Sequence, residues 1–183
     1  MRPLPIGIDD FKKLRENNFC YVDKSLFIQE LLDNRSEVSV FMRPRRFGKT
    51  LGLSMLKYYF EKEFDPDGNE IDNKKLFDGL NILDTGEKYT KYMGQYPVIS
   101  LSLKCAKQPD FQTAYECLVD EIAQEFDRHS YILLNSNLNS SEKNQFREMI
   151  EKKGPDSAWA KALNFLSRCL KKVYRKNVII LLD

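Results

Sequence analysis

Three short apolar runs, at residues 38–42, 97–103 and 178–182, are separated by segments whose apolar residues recur at helical spacing. Two of the runs are apolar almost throughout, the pattern of strands covered on both faces. Strands of that kind alternating with helices imply an α/β domain with a parallel sheet. Between the runs, Leu26, Phe27, Leu31 and Leu32 share a helical face, with Asp23 available as the N-cap. A second helix is expected from Gly48 through Leu53, Leu56, Tyr59 and Phe60, and a long amphipathic one over Phe111, Tyr115, Leu118, Ile122 and Phe126. A charged helix is expected at 142–152, ended by Gly154 and Pro155, and another over Trp159, Leu163, Leu166, Leu170 and Val173. Residues 1–20 read as irregular, broken by Pro3, Pro5 and Gly7, and residues 65–95 read as rich in turns.

At 183 residues the chain suffices for one domain with a sizeable core. Its segments are 1–37 before the first strand, 38–64 around that strand and its helix, 65–95 as a turn-rich insertion, and 96–183 for the remainder. A net charge of +2 gives no whole-chain argument for a nucleic-acid or membrane partner, so any basic site must be local. No apolar stretch nears the roughly 20 residues that span a bilayer, and the N-terminus lacks the apolar segment of a signal peptide. Cys20, Cys105, Cys117 and Cys169 are dispersed without a Cys-x-x-Cys pair, which reads as reduced thiols rather than a zinc site or a disulfide framework. A single histidine, His129, leaves little for histidine-based metal sites or triads. The cytoplasm is the expected compartment.

The chemistry concentrates at residues 43–50, Arg-Pro-Arg-Arg-Phe-Gly-Lys-Thr, between an expected strand and an expected helix. That is the setting of a phosphate-binding loop, in which backbone N–H groups and the positive end of the helix dipole hold phosphates. Gly48 would let the backbone approach closely, Lys49 would reach the β- and γ-phosphates, and the Thr50 hydroxyl would ligate magnesium. A bare Gly-Lys-Thr triplet arises by chance in about one chain in ten of this size, so the flanking strand and helix carry much of the signal. Arg43 stands where the general pattern has glycine. At the other end of the chain, Asp183 closes an apolar run, the position of the carboxylate that holds the magnesium shell. The expected fold is therefore a three-layer P-loop NTPase with a mostly parallel sheet, and the expected cofactors are ATP and magnesium. Lys49 and Asp183 are the candidate catalytic residues, and Thr50 and Asp183 the candidate metal ligands.

Tyr21-Val-Asp-Lys-Ser25, the 43–50 segment, Leu76-Phe-Asp-Gly-Leu80 and the final apolar run resemble the AAA-ATPase-like family of bacterial proteins over nearly the whole chain. Members commonly carry a PD-(D/E)XK nuclease-like domain further along. The resemblance implies that Arg43 is at home in this loop. It implies a cofactor-binding set of Arg43, Pro44, Arg45, Arg46, Phe47, Gly48, Lys49, Thr50 and Leu51, with Tyr21, Asp23 and Lys24 near the nucleotide on its adenine side. It also implies a water-activating glutamate after Asp183. The sequence stops at Asp183, so the expectation is an N-terminal fragment truncated after this Walker B strand, binding ATP better than it hydrolyses it. Uncovered sheet edges would then favour self-association, and nucleic acid would be met only through a C-terminal domain.

Other readings are weaker. Arg43, Arg45 and Arg46 could form a nucleic-acid patch, but no aromatic platform or second basic cluster supports it. Asp65-x-Asp-x-Asn69 resembles the start of a calcium loop, yet Glu70 and Leu76 occupy the positions that need glycine and glutamate. A P-loop kinase acting on a small acceptor and a nucleotide-independent binding module are the competing functions.

Overall fold

Asp10 accepts the N–H of Lys13 at 2.7 Å and so opens a helix, α1 (Phe11–Glu16), inside the stretch that the prolines mark as irregular. The same carboxylate accepts from the hydroxyls of Ser54 (3.2 Å) and Tyr58 (3.0 Å), which lie on α3 (Lys49–Phe60). One residue therefore caps one helix and ties it to another. Phe11, Leu14, Ile28, Met55, Leu56 and Phe77 are fully or almost fully buried around this contact. Between α1 and α3 runs α2 (Leu26–Asn34), whose N-cap is Ser25 rather than Asp23.

The computed structural model describes residues 2–42, 44 and 47–183, and the chain divides into two compact units. The first comprises Met1–Glu63 and Asp72–Gln95. The second comprises Phe64–Ile71 and Tyr96–Asp183. At the boundary a short hairpin pairs β1 (Glu63–Phe64) with β2 (Glu70–Ile71), its turn closed by Asp65 accepting from the backbone N–H (2.8 Å) and side-chain amide (2.9 Å) of Asn69. In the first unit the expected turn-rich insertion folds as two 3-10 turns, Lys74–Phe77 and Asn81–Thr85, and the short helix α4 (Glu87–Thr90).

The expected strand at 38–42 is not a strand. Val38, Val40 and Met42 are 79%, 80% and 91% exposed, and of this run Phe41 packs edge-on against Phe27. The reason lies in pairing. A strand exists only by hydrogen bonding to a neighbour, and both parallel strands belong to the other unit.

That second unit holds β3 (Val98–Leu101), α5 (Phe111–Arg128), α6 (Ser140–Ile150), α7 (Asp156–Trp159), α8 (Ala162–Tyr174) and β4 (Ile179–Leu182). Among the described residues the parallel sheet is this single pair, with Val98 opposite Ile179 and Leu101 opposite Leu182. The mostly parallel three-layer sheet of the expected fold is thus reduced to two short strands beside helices. Phe126, Phe146, Phe165, Leu166 and Leu170 fill the core against Ile99. A capping box on Asn139 and Glu142 begins α6 at Ser140, two residues before the expected start of this charged helix. Trp159 ends α7, buried, with its indole N–H donating to Gly154 O at 3.0 Å.

The two edges of β3 are treated differently. Pro97 O and Leu101 O accept from Ile179 and Asp183 of the β4 side. On the opposite edge, Val98 O accepts from Arg128 Nη2 (2.7 Å) and His129 Nε2 (3.0 Å), and Ser100 N–H donates to Glu125 Oε1 (2.7 Å). Side chains from the end of α5 thereby stand in for a neighbouring strand. His129, fully buried, donates through Nε2 to Val98 O and is hydrogen-bonded at Nδ1 to the Tyr131 hydroxyl (2.9 Å). Burial opposes ionisation of Glu125, but its bonds to Arg128 and His129 outweigh that and hold its carboxyl down at about 2.

Glu125→Ala should therefore destabilise the protein by about 3–5 kcal/mol, the cost of leaving a buried charge and strand edge without their partner. Because the folded-state pKa is lowered, this contribution is complete above the ordinary glutamate pKa and is lost as the pH falls towards about 2. Urea denaturation of wild type and variant between pH 7 and pH 3 checks both. A loss below about 1 kcal/mol, the worth of an exposed pair, would show that the edge closure is not structural.

Candidate functional site

The candidate loop ends where α3 begins. Gly48 has φ +72° and ψ +33°, left-handed values that a side chain would strain, and it is the helix N-cap. Its carbonyl accepts from Gly52 N–H at 2.9 Å, so the helical ladder starts there. Lys49 is exposed, Thr50 and Leu51 are half-buried, and Phe47 is 59% exposed. Pro44 is exposed, and its carbonyl accepts from Phe47 N–H at 3.4 Å. The other expected loop residues, Arg43, Arg45 and Arg46, lie outside the described residues.

Tyr21 to Ser25 leads into α2. Lys24 Nζ lies 3.9 Å from the point where a Cβ on Gly48 would stand. Its neighbours turn the other way. Tyr21 packs edge-on to Phe11 at 5.5 Å and its hydroxyl donates to Met55 Sδ at 3.3 Å, and burial raises its pKa. Asp23 accepts from Ser25 N–H and Asn81 N–H, both at 2.8 Å. Burial opposes ionisation of Asp23, but those two N–H bonds outweigh it and hold the carboxyl below its usual range. Ser25, fully buried, accepts from Ile82 N–H at 3.1 Å. Arg15 donates to Leu76 O (2.7 Å) and Asp78 O (2.6 Å), so one guanidinium holds the 76–80 segment at two carbonyls. Asp23 and Ser25 are thus committed to the fold, and Lys24 is the member of the segment that faces the loop.

Asp183 lies in the other unit, at the end of β4. Its N–H donates to Leu101 O and its carbonyl accepts from Leu103 N–H, which continues the ladder past the strand. The side chain is 16% exposed and pairs with Lys104 Nζ at 2.5 Å. A carboxylate at the C-terminal end of a parallel strand is where open α/β sheets bind ligands. Lys104 was not legible as a partner, because it follows the strand by proximity in space rather than by any motif.

A family model for predicted AAA-ATPases, the AAA-ATPase-like family, matches residues 5–183. The chain belongs to that family. It is also similar to an uncharacterised protein in the vnfD 5′ region of Azotobacter chroococcum mcd 1, at 36% identity over 102 residues. The match covers 55% of this chain and 17% of that protein, so the chain spans a small part of the relative's length. No solved structure matches. Among the described residues no helix is long and apolar enough to cross a membrane.

The fold role of the 21–25 segment is open to a direct check. Ser25→Ala should lower stability by about 1–3 kcal/mol by stranding the buried Ile82 N–H. Thermal and urea melts that superpose on wild type would remove Ser25 from the anchor.

Proposed function

We propose that this chain binds ATP with magnesium through residues 43–50, and that hydrolysis in the complete protein drives a conformational change. The observation that carries the reading is the left-handed Gly48 at the head of α3, followed at once by Lys49 and Thr50, in a chain of the AAA-ATPase-like family. A helix start with accessible N–H groups and a flanking lysine attracts phosphate oxygens through the helix dipole and through charge-assisted hydrogen bonds. Lys49 takes the β- and γ-phosphates. Lys24, whose ammonium lies beside Gly48, serves as a second cation on the phosphate side, a revision of the adenine-side placement.

The Thr50 hydroxyl is a hard oxygen donor of the kind magnesium prefers, and so, at the end of β4 in the other unit, is the Asp183 carboxylate. When bound, magnesium would neutralise charge on phosphate oxygens. Thr50 follows Lys49 at the phosphate end, and Lys104 neutralises Asp183 at 2.5 Å.

Isothermal calorimetry with Mg·ATP tests the reading. Lys49→Ala should weaken ATP at least tenfold, as expected for a charge-assisted bond worth roughly 1.5–3 kcal/mol. An unchanged Kd would take Lys49 out of the site. Lys24→Ala should weaken ATP by roughly two- to fivefold, the scale of an exposed charge contact, while leaving AMP binding nearly unchanged. Equal losses for the two nucleotides would return Lys24 to the adenine side.

A further inference from the structure

The 3-10 turn Leu103–Ala106 leaves the end of β3 and packs beneath α5. This brings together two cysteines that the sequence separates. Cys105 lies on the turn and Cys117 on α5, and the Gln108 side-chain amide bridges them, donating to Cys105 O at 3.0 Å and approaching Cys117 Sγ at 3.8 Å. Cys105 Sγ also points at Ser102 O, 3.9 Å away. Both thiols are half-buried, reachable by a small oxidant yet held by packing, whereas Cys169 is buried in the core and Cys20 belongs to the other unit. The residue before Cys105 is Lys104, the partner of Asp183.

We propose that Cys105 and Cys117 form a redox-sensitive dithiol, and that its oxidation to a disulfide pins the turn bearing Lys104 against α5. With a disulfide oxidant such as oxidised glutathione the step balances. One cysteine thiolate attacks a glutathione sulfur, forms a mixed disulfide and expels one glutathione thiolate. The second cysteine thiolate attacks the protein sulfur of that mixed disulfide and expels the other. Two protein thiols thus lose two protons and two electrons, and one glutathione disulfide becomes two glutathione thiols. Burial and the neighbouring thiol raise the Cys105 pKa, so the exchange should quicken as the pH rises above neutrality.

The test equilibrates the folded chain with reduced and oxidised glutathione over a range of ratios, blocks free thiols by alkylation, and maps the digest by mass spectrometry. The expected result is a peptide pair linked through 105 and 117, two hydrogens lighter, formed without denaturant while Cys169 remains alkylated. Cys105→Ser should abolish the link and leave Cys117 as a stable glutathione mixed disulfide. Alkylation of both cysteines at every ratio would overturn the proposal, as would a link that forms only in urea. The readout is independent of nucleotide, so its failure is distinct from a failure of ATP binding.

Discussion

A two-stranded parallel ladder uses only one side of each strand, and the backbone groups on the outer sides still need partners. That constraint organises the second unit. On the outer side of β3 the need is met by Glu125, Arg128 and His129, which present one acceptor and two donors to Ser100 and Val98. Three polar side chains could not be placed there without charge compensation, and they compensate one another: Arg128 pairs with Glu125 at 2.7 Å. The closure also limits what the sheet can do next, since a strand added beside β3 would have to displace Glu125, Arg128 and His129. Of the sheet edges expected to be uncovered, one is therefore sealed from within.

The same constraint accounts for residues 38–42. Their composition is that of a buried strand, but composition sets what a strand would bury and not whether a partner is within reach. With no parallel neighbour among the described residues of its own unit, the run leaves Val40 and Met42 in solvent. Helix α3 does not depend on it. Asp10, Ser54 and Tyr58 fix α3 through α1, and the aromatic contact of Phe11 with Phe77 at 5.1 Å extends that packing to the 76–80 segment.

What was legible follows from period and length. Helices α3, α5 and α8 carry apolar residues over three or more turns, and the periodicity places each of them. Helix α1 is six residues with two buried apolar side chains, Phe11 and Leu14, too few for a period to register. Its one usable signal was Asp10 ahead of Lys13. The apolar run at 178–182 became β4 because a neighbour, β3, lies in the same unit; the run at 38–42 had the same composition and no such neighbour. Asp183 stands at the strand end as its position implied, but Lys104 and the Cys105–Gln108–Cys117 cluster depend on how the chain turns after β3, which no local pattern encodes.

The 21–25 segment shows how one short motif can divide its labour. Tyr21, Asp23 and Ser25 bond inward, to Met55, Asn81 and Ile82. Val22 is 73% exposed and Lys24 is exposed. Ser25 already has helical backbone values at the start of α2, φ −64° and ψ −24°, so the division follows from where each side chain finds a partner rather than from a strand's alternation. The hydrogen bonds commit Tyr21, Asp23 and Ser25 to the fold and leave Lys24 beside Gly48. The inward set holds the segment rigid enough for Lys24 to be presented at a fixed place, so loss of Ser25 should disturb the surroundings of Gly48 without removing the Lys24 ammonium. A charge on a braced segment costs less ordering on binding than one on a free loop, which is the physical advantage of setting structural residues on either side of a charged one.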